Sequence, residues 1–473
     1  MGEISKGTEV LVIGSGPAGY VAAIRTAQLG KDVTLIEKEP VLGGICLNHG
    51  CIPSKALIHA SNTFVDLNHL EQIGITIPEK KLNLTKMQKW KQGVVTKLNT
   101  GVEYLCKKNQ VEIIKGEAVF ENSNKVLIKM KDKQDHVEFQ KCIIATGSRP
   151  RELKGFDFEN KFVISSKQAL GLDHLPKKLV IVGGGYIGLE MAFVYANLGS
   201  KVTILEAGSK LLTNVDEDIV RVLEKSLKDK KVEILVNAKA TKLNDMGNTA
   251  QVVVETKEKG SLSIEADKVL IAIGRIPNTE LLQLNKTKVE LNEKGFIKVN
   301  KQMKTTDLNI FAIGDVVGQP MLAHKGSTEA KVAAEIIGGN KTVEFDHYVI
   351  PSVMFTSPEY ASAGLTEQEA KKQGKEIIIG KFPFTALGKA LASEHSEGFV
   401  KILAEKKTQT ILGVHIIGHN ASDLISEAAL MIENALTLED VALTIHPHPT
   451  MPEAIMEAAE DALGKAIHIF KPK

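Results

Sequence analysis

Hydrophobic residues come along this chain in short runs of aliphatic side chains, several of which end in glycine and lead into a stretch with helical spacing. Residues 8–13 form the first run, Thr-Glu-Val-Leu-Val-Ile, followed by Gly14-Ser15-Gly16-Pro17-Ala18-Gly19. A second run at 33–36 ends at Glu37. The arrangement then repeats: residues 179–182 precede Gly183-Gly184-Gly185-Tyr186-Ile187-Gly188, and residues 202–205 end at Glu206. Glu37 follows Gly14 by the same interval as Glu206 follows Gly183, and a Leu-Gly pair precedes the second strand of each copy. Strand, Gly-x-Gly-x-x-Gly turn, helix and acid-terminated strand together predict a dinucleotide-binding unit. Glycines let the backbone turn tightly and approach a pyrophosphate against the helix amino terminus, and the acid accepts hydrogen bonds from ribose hydroxyls. Two copies predict an α/β fold with two Rossmann-like domains and two bound dinucleotides.

Three further strand ends fit the same picture. Residues 142–148, containing Thr146 and Gly147, and residues 269–275, containing Gly274, read as strands whose carboxyl ends meet the cofactor crevice of an open sheet. Residues 310–315 deliver Asp315 at a strand end, where it suits a polyhydroxyl chain such as the ribitol of a flavin. From about Tyr348 the character changes. Residues 351–356 and 398–403 read as strands without a dinucleotide fingerprint, and helical patterns follow at 423–436 and 452–463.

At 473 residues the chain exceeds what a single core supports, so two to four domains are expected. A hydrophobic fraction of 43% and a charged fraction of 25% are those of a soluble globular protein. With 59 basic and 57 acidic side chains the net charge is +2, which gives no footprint for nucleic acid. No apolar run has the length of a membrane span, and the first strand begins so early that a leader peptide is not expected, so the expected location is cytoplasmic.

Four cysteines are too few for a disulfide scaffold, and cytosolic disulfides are usually catalytic. Two of them fall in Gly43-Gly44-Ile45-Cys46-Leu47-Asn48-His49-Gly50-Cys51-Ile52-Pro53-Ser54-Lys55, at the start of an expected helix, where the positive helix end makes thiols reactive. No Cys or His at metal-site spacing flanks the pair, and a bridge across so short a loop adds little stability, so redox chemistry is expected and no metal. Cys106 and Cys142 carry no motif and read as packing residues. Near the carboxyl end, prolines hold His448 in an extended segment, and Glu453 lies in the first turn of the next helix, where a carboxylate orients an imidazole base. His446 reads as a turn residue. Glu206 favours NAD over NADP, because it repels a 2′-phosphate and the following Ala207-Gly208-Ser209 supplies no arginine.

The chain resembles the flavoprotein disulfide reductases, and within them those that oxidise dihydrolipoyl groups. The match covers residues 43–55, Ala145 to Ser148, Gly188-Leu189-Glu190, Ala312 to Asp315, Thr356-Ser357-Pro358-Glu359, and His448-Pro449-Thr450 with Glu453. Departures are few: Ile45 stands where threonine is frequent, and Pro447 and Pro452 stiffen the histidine segment. The resemblance implies an FAD-binding domain at 1–150, an NAD-binding domain at 151–276, a central segment at 277–347 completing the first, and a C-terminal α+β dimerisation domain at 348–473. It implies that Cys46 is the interchange thiol and Cys51 the thiolate against the flavin, and that Lys55 and Glu190 pair near the flavin. Gly14, Gly16, Gly19, Glu37, Lys55, Gly116, Thr146, Gly147, Asp315 and Ala323 would contact FAD. Gly183, Gly185, Gly188, Glu190, Glu206 and Gly274 would serve NAD. His448, assisted by Glu453, would be the base across a homodimer interface, and the partners would be lipoyl domains of 2-oxo-acid dehydrogenase complexes or of the glycine cleavage system. The alternatives are a glutathione-type reductase, which should carry arginines after the second acid, a mercuric or thioredoxin-type enzyme, which should carry a carboxyl-terminal cysteine pair, and a noncatalytic flavin and NAD sensor. No such arginine follows Glu206, and no cysteine follows Cys142.

Overall fold

The computed structural model describes residues 5–67, 70–258 and 260–470. The first repeat forms β1 (Ser5–Ile13), α1 (Pro17–Gln28) and β2 (Val33–Glu37), the last buried along its whole length. β1 and β2 pair in parallel with Val10 opposite Val33, and β1 continues in parallel to the strand Gln134–Ile144. Proline at the first position of α1 suits a helix start, since its missing N–H would have no partner there. The chain then makes two consecutive helices, α2 (Gly44–His49) and α3 (Cys51–Asp66), before a long surface helix, Leu84–Lys108.

The second repeat builds its own sheet from β3 (Lys178–Val182), α4 (Tyr186–Asn197) and β4 (Lys201–Leu205). All the pairings of this five-stranded sheet are parallel, including that of β3 with Lys268–Ile271. α4 is buried over most of its surface and is largely apolar, with Glu190 the charged residue among its buried side chains. Beyond it the chain returns to the first sheet: Ile310–Ala312 pairs in parallel with the end of Gln134–Ile144, and the helix Ala323–Ile337 packs on α1. Buried apolar residues pack against both sheets, and the core of the second repeat also takes in Leu57 and Ile58 of α3 and Met354, Tyr360, Phe399 and Ile417 from the carboxyl-terminal part of the chain.

The last part is a five-stranded antiparallel sheet holding Ser352–Met354, Glu359–Gly364, Ile377–Pro383, Phe399–Glu405 and Ile411–Gly418. α5 (Ala421–Glu433) and α6 (Glu453–Ala462) pack on it around a separate core. This sheet is tied to the second repeat by a buried ion cluster. Lys401 Nζ lies 2.8 Å from Asp216 and Glu367 and 2.9 Å from Asp218. Burial opposes the Lys401 charge, but the three carboxylates outweigh it and hold the ammonium above its usual range. Among the described residues no helix is long and apolar enough to cross a membrane.

Candidate active site

The two cysteines sit on two helices rather than at the start of one. Cys46 lies within α2 and Cys51 is the first residue of α3, because Gly50 between them adopts φ −145° and ψ −106°, which breaks the helix. The Cα atoms of Cys46 and Cys51 are 4.6 Å apart and the thiols are joined as a disulfide. Cys51 stands at the positive end of a helix of 16 residues, where a released thiolate is stabilised. The other two cysteines are buried: desolvation pushes the Cys106 thiol up to about 11 and raises that of Cys142 well above its usual value. Both are chemically quiet, as packing residues should be.

One turn beyond Cys51, Lys55 Nζ donates to both carboxylate oxygens of Glu190 at 3.0 Å. Glu190 comes from α4 of the second repeat and also accepts the Phe355 N–H at 3.0 Å, while the Lys55 ammonium lies 4.2 Å from the centre of the Phe355 ring. Disulfide helix, second repeat and C-terminal layer therefore converge on one ion pair. Glu190 is buried, and its satisfied carboxylate fixes the junction. Phe355 was not among the residues singled out from sequence; its position just before Thr356 was the available signal.

The glycine turns are alike in both repeats. Gly14 and Gly183 have φ of +97° and +114°, and a Cβ on either would fall about 2.5 Å from a carbonyl oxygen, that of Ala145 or of Ala272. Only glycine fits there. A Cβ on Gly19 would lie 1.8 Å from Gly14 O, and one on Gly188 2.2 Å from Gly183 O, so each helix presses directly on its turn. By contrast a Cβ on Gly16 or Gly185 would meet no protein atom within 4 Å. Packing does not require glycine at these two positions, and open backbone before a helix amino terminus is what a pyrophosphate needs. The residues present therefore fit two dinucleotides.

The acids do more than sequence suggested. Glu37 accepts from the Ser15 N–H at 2.9 Å, from the Ser15 hydroxyl and from the Glu39 N–H at 2.9 Å. Glu206 accepts from the N–H groups of Gly184 and Gly208, at 2.8 and 2.6 Å. Each carboxylate thus pins its own glycine turn, besides standing at the strand end where a ribose would lie. Around the first turn, the Gly116 N–H donates to the Glu37 carbonyl, and the Thr146 hydroxyl donates to Asn278 O at 2.8 Å. Gly147 and Gly274 both have positive φ, at the ends of their strands. Asp315 accepts from the Ser148 hydroxyl, which Arg275 Nε approaches to 2.7 Å, and Ala323 opens the helix that packs on α1.

The histidine segment lies in the C-terminal layer. His448 Nδ1 meets Glu453 Oε1 at 2.8 Å, and Glu453 Oε2 accepts the Thr450 N–H at 2.7 Å. Burial would raise the Glu453 carboxyl, but Thr450 and His448 hold it below the usual carboxylate range. A carboxylate so held keeps Nδ1 protonated and leaves Nε2 as the basic atom. The His448 side chain is 78% exposed. His446 lies in the irregular segment between two helices, as a turn residue would, but it is not a free surface side chain. Its ring is buried against Glu427, because α5 passes beneath the segment, which local sequence does not reveal.

Residues 8–330 match the pyridine nucleotide-disulphide oxidoreductase family, and residues 350–459 match its dimerisation domain. A dihydrolipoyl dehydrogenase of Geobacillus stearothermophilus is 48% identical over 470 residues, covering 99% of both chains. One of Bacillus subtilis (strain 168) is 46% identical over 472 residues and the full length of both. Among solved structures, LpdA from Mycobacterium tuberculosis superposes with a TM-score of 0.88 at 26% identity, covering 96% of this chain and 99% of that one. The HOCl-induced flavoprotein disulfide reductase RclA from Escherichia coli gives 0.86 at 28% identity, covering 96% and 99%.

Proposed function

The chain belongs to the pyridine nucleotide-disulphide oxidoreductases, and we propose that within them it works as a dihydrolipoyl dehydrogenase, oxidising dihydrolipoyl groups and passing the electrons through FAD to NAD. The observation that carries this reading is the combination of a disulfide at the head of α3 with an exposed imidazole aimed by Glu453. Disulfide exchange needs a thiolate, and substrate thiols are largely protonated near neutral pH, so a base must take the proton. Nε2 of His448 does so. The substrate thiolate attacks Cys46 Sγ, the Cys46–Cys51 bond breaks, and Cys51 leaves as a thiolate at the helix end. The protonated His448 then gives its proton to the departing Cys46 sulfur and takes that of the second substrate thiol, which attacks the mixed disulfide and closes the lipoyl ring; Cys46 ends as a thiol, Cys51 as a thiolate and His448 protonated. The dithiol has lost two electrons and the cysteine pair has gained them. Bound FAD would supply the two-electron acceptor for the reduced cysteine pair, and NAD the final hydride acceptor.

FAD would lie along Gly14, Gly16 and Gly19, with Glu37, Gly116, Thr146, Gly147, Asp315 and Ala323 around it and Lys55 beside its reactive ring. NAD would lie along Gly183, Gly185 and Gly188, with Glu206 at its ribose, Gly274 at the strand end and Glu190 behind Lys55. The base and the disulfide belong to different layers of one chain, and the match to a dimerisation domain supports a homodimer; on this reading each subunit's His448 serves the partner's disulfide. Leu443 and Ile445, exposed beside the base, suit such an interface. The same reading includes lipoyl domains of a 2-oxo-acid dehydrogenase complex or glycine cleavage system as partners, and a cytoplasmic location.

The test compares two activities of one variant. His448→Gln should slow dihydrolipoamide oxidation by about a hundredfold or more, the scale of general-base catalysis, and Glu453→Gln by less. Reduction of an artificial acceptor by NADH needs no substrate base and should be spared. Equal loss of both activities in an FAD-replete His448→Gln dimer would show that the residue is structural.

A further inference from the structure

Two histidines in the base segment are engaged in opposite ways. His446 is 5% exposed at its side chain; Nδ1 lies 2.8 Å from the Thr444 carbonyl oxygen and Nε2 lies 2.9 Å from Glu427 Oε1. A carbonyl and a carboxylate can only accept, so both ring nitrogens must donate. The ring that satisfies both contacts carries two protons and a positive charge. His448 uses only Nδ1, on Glu453, and its ring is open to solvent. One histidine has no nitrogen left to take a proton, and the other has one.

We propose that His446 is a positioning residue for the base: an imidazolium that ties the His448 segment to α5 through Glu427 and thereby sets where His448 is presented. The proposal rests on the reading of His448 as the base and goes beyond it, since His446 touches neither substrate nor cofactor in that scheme. Charge-assisted hydrogen bonds are the strong ones, and here one reaches a segment whose neighbours Ile445, Pro447 and Pro449 are exposed and offer little packing. The charged and titratable groups that face His446 are Glu427 from α5, Glu453 from α6 and His448 on its own segment.

The experiment uses the full-length, FAD-replete protein with His446→Gln and, separately, Glu427→Gln. It measures kcat and KM for dihydrolipoamide, NADH-dependent reduction of an artificial acceptor, and flavin content. In both variants kcat for dihydrolipoamide should fall about tenfold to a hundredfold, the cost of misplacing a reacting group by a fraction of its bond reach. KM for dihydrolipoamide, acceptor reduction and flavin content should stay as in the parent. An unchanged kcat in both variants would overturn the proposal, and so would equal loss of both activities. If the parent protein itself fails to oxidise dihydrolipoamide, the proposed function falls instead.

Discussion

The two glycine-bearing repeats share a fold, yet they are coupled to the rest of the molecule in different ways. In the first, Ser15 stands between the two outer glycines, and its N–H and hydroxyl both bind Glu37. Its carbonyl accepts the Gly43 N–H at 3.0 Å, and a Cβ on Gly44 would fall 2.6 Å from the Gly16 Cα, so α2 with Cys46 rests directly on the nucleotide turn. In the second repeat Gly184 takes the place of Ser15, a Cβ there would lie 2.5 Å from Leu211, and no redox helix follows. One turn carries the redox helix; the other is covered instead by Leu211 and by Leu212, whose N–H donates to Gly184 O at 3.2 Å. The first repeat is further held by the chain itself, through Ile310–Ala312 and Ala323–Ile337, whereas the second is moored to the C-terminal sheet through Lys401. The same motif thus suits a resident cofactor in one place and an exchanging one in the other.

The largest effects should come from the helix glycines that press on each turn. Gly19→Ala drives a methyl into the Gly14 carbonyl and should yield protein without flavin and without either activity. Gly188→Ala should retain the flavin and the disulfide but lose NAD-linked turnover by about two orders of magnitude, as expected when the anion site at a helix amino terminus is displaced. Visible absorbance and turnover of the two purified variants decide the matter. Loss of flavin from Gly188→Ala would break the division of labour between the repeats.

The mooring of the second repeat offers an intermediate effect. Lys401→Met removes the cation shared by Asp216, Asp218 and Glu367, leaving only Lys381 beside Asp218, and should lower unfolding free energy by about 3–5 kcal/mol, measured by denaturant titration. The cluster also has a pH signature. Burial alone would raise the Asp218 carboxyl, but Lys401 and Lys381 hold it below its usual 3.8, so its contribution is present above 3.8 and is lost as pH falls through the lower folded value. The Lys401 ammonium is held above 10.5, so its contribution is present below 10.5 and is lost only as pH rises past that raised value. The stability gap between parent and Lys401→Met should therefore be flat from about pH 5 to 9 and close only at the extremes. A gap that varies within that window would assign the effect to other groups.

The smallest effect distinguishes the two acids. Glu206→Gln should reduce the preference for NAD over NADP by about tenfold, the worth of one charge-dependent contact, whereas Glu37→Gln should leave it untouched. Ratios of kcat/KM for the two cofactors provide the check. Comparable preference in the parent protein, or a shift caused by Glu37→Gln, would show that nucleotide choice is not read by the second strand's acid.

Much of this is legible in the sequence. The strand ends at Glu37 and Glu206, the turns at Gly14 and Gly183, and the pairing of His448 with Glu453 are local patterns, in which a few consecutive residues determine both conformation and chemistry. The break at Gly50 was less legible, because a glycine inside a helical pattern announces a weakness but not a dihedral angle. Phe355, Glu427 and the ring of His446 were missed for a common reason. Each acts on a residue distant in sequence, such as Glu190 or the base segment, and such encounters are set by how layers pack. The lysine at 401 looked like an ordinary strand residue; only the arrival of Asp216 and Asp218 from another layer turns it into a buried ion.

The way the first sheet is completed has a consequence for synthesis. Gln134–Ile144 has one side occupied by β1, while its far side is shared between Lys125–Lys129 near one end and Ile310–Ala312 at the other. Until the ribosome has delivered Ile310, the backbone of Cys142 to Ile144 has an unpaired edge beside apolar side chains that are destined to be buried. The parallel sheet of the second repeat, contiguous in the chain from Val163 to Ile271, needs no such wait. The second-born unit should therefore become protease-resistant on the nascent chain before the first, and the amino-terminal half should be the client that chaperones hold.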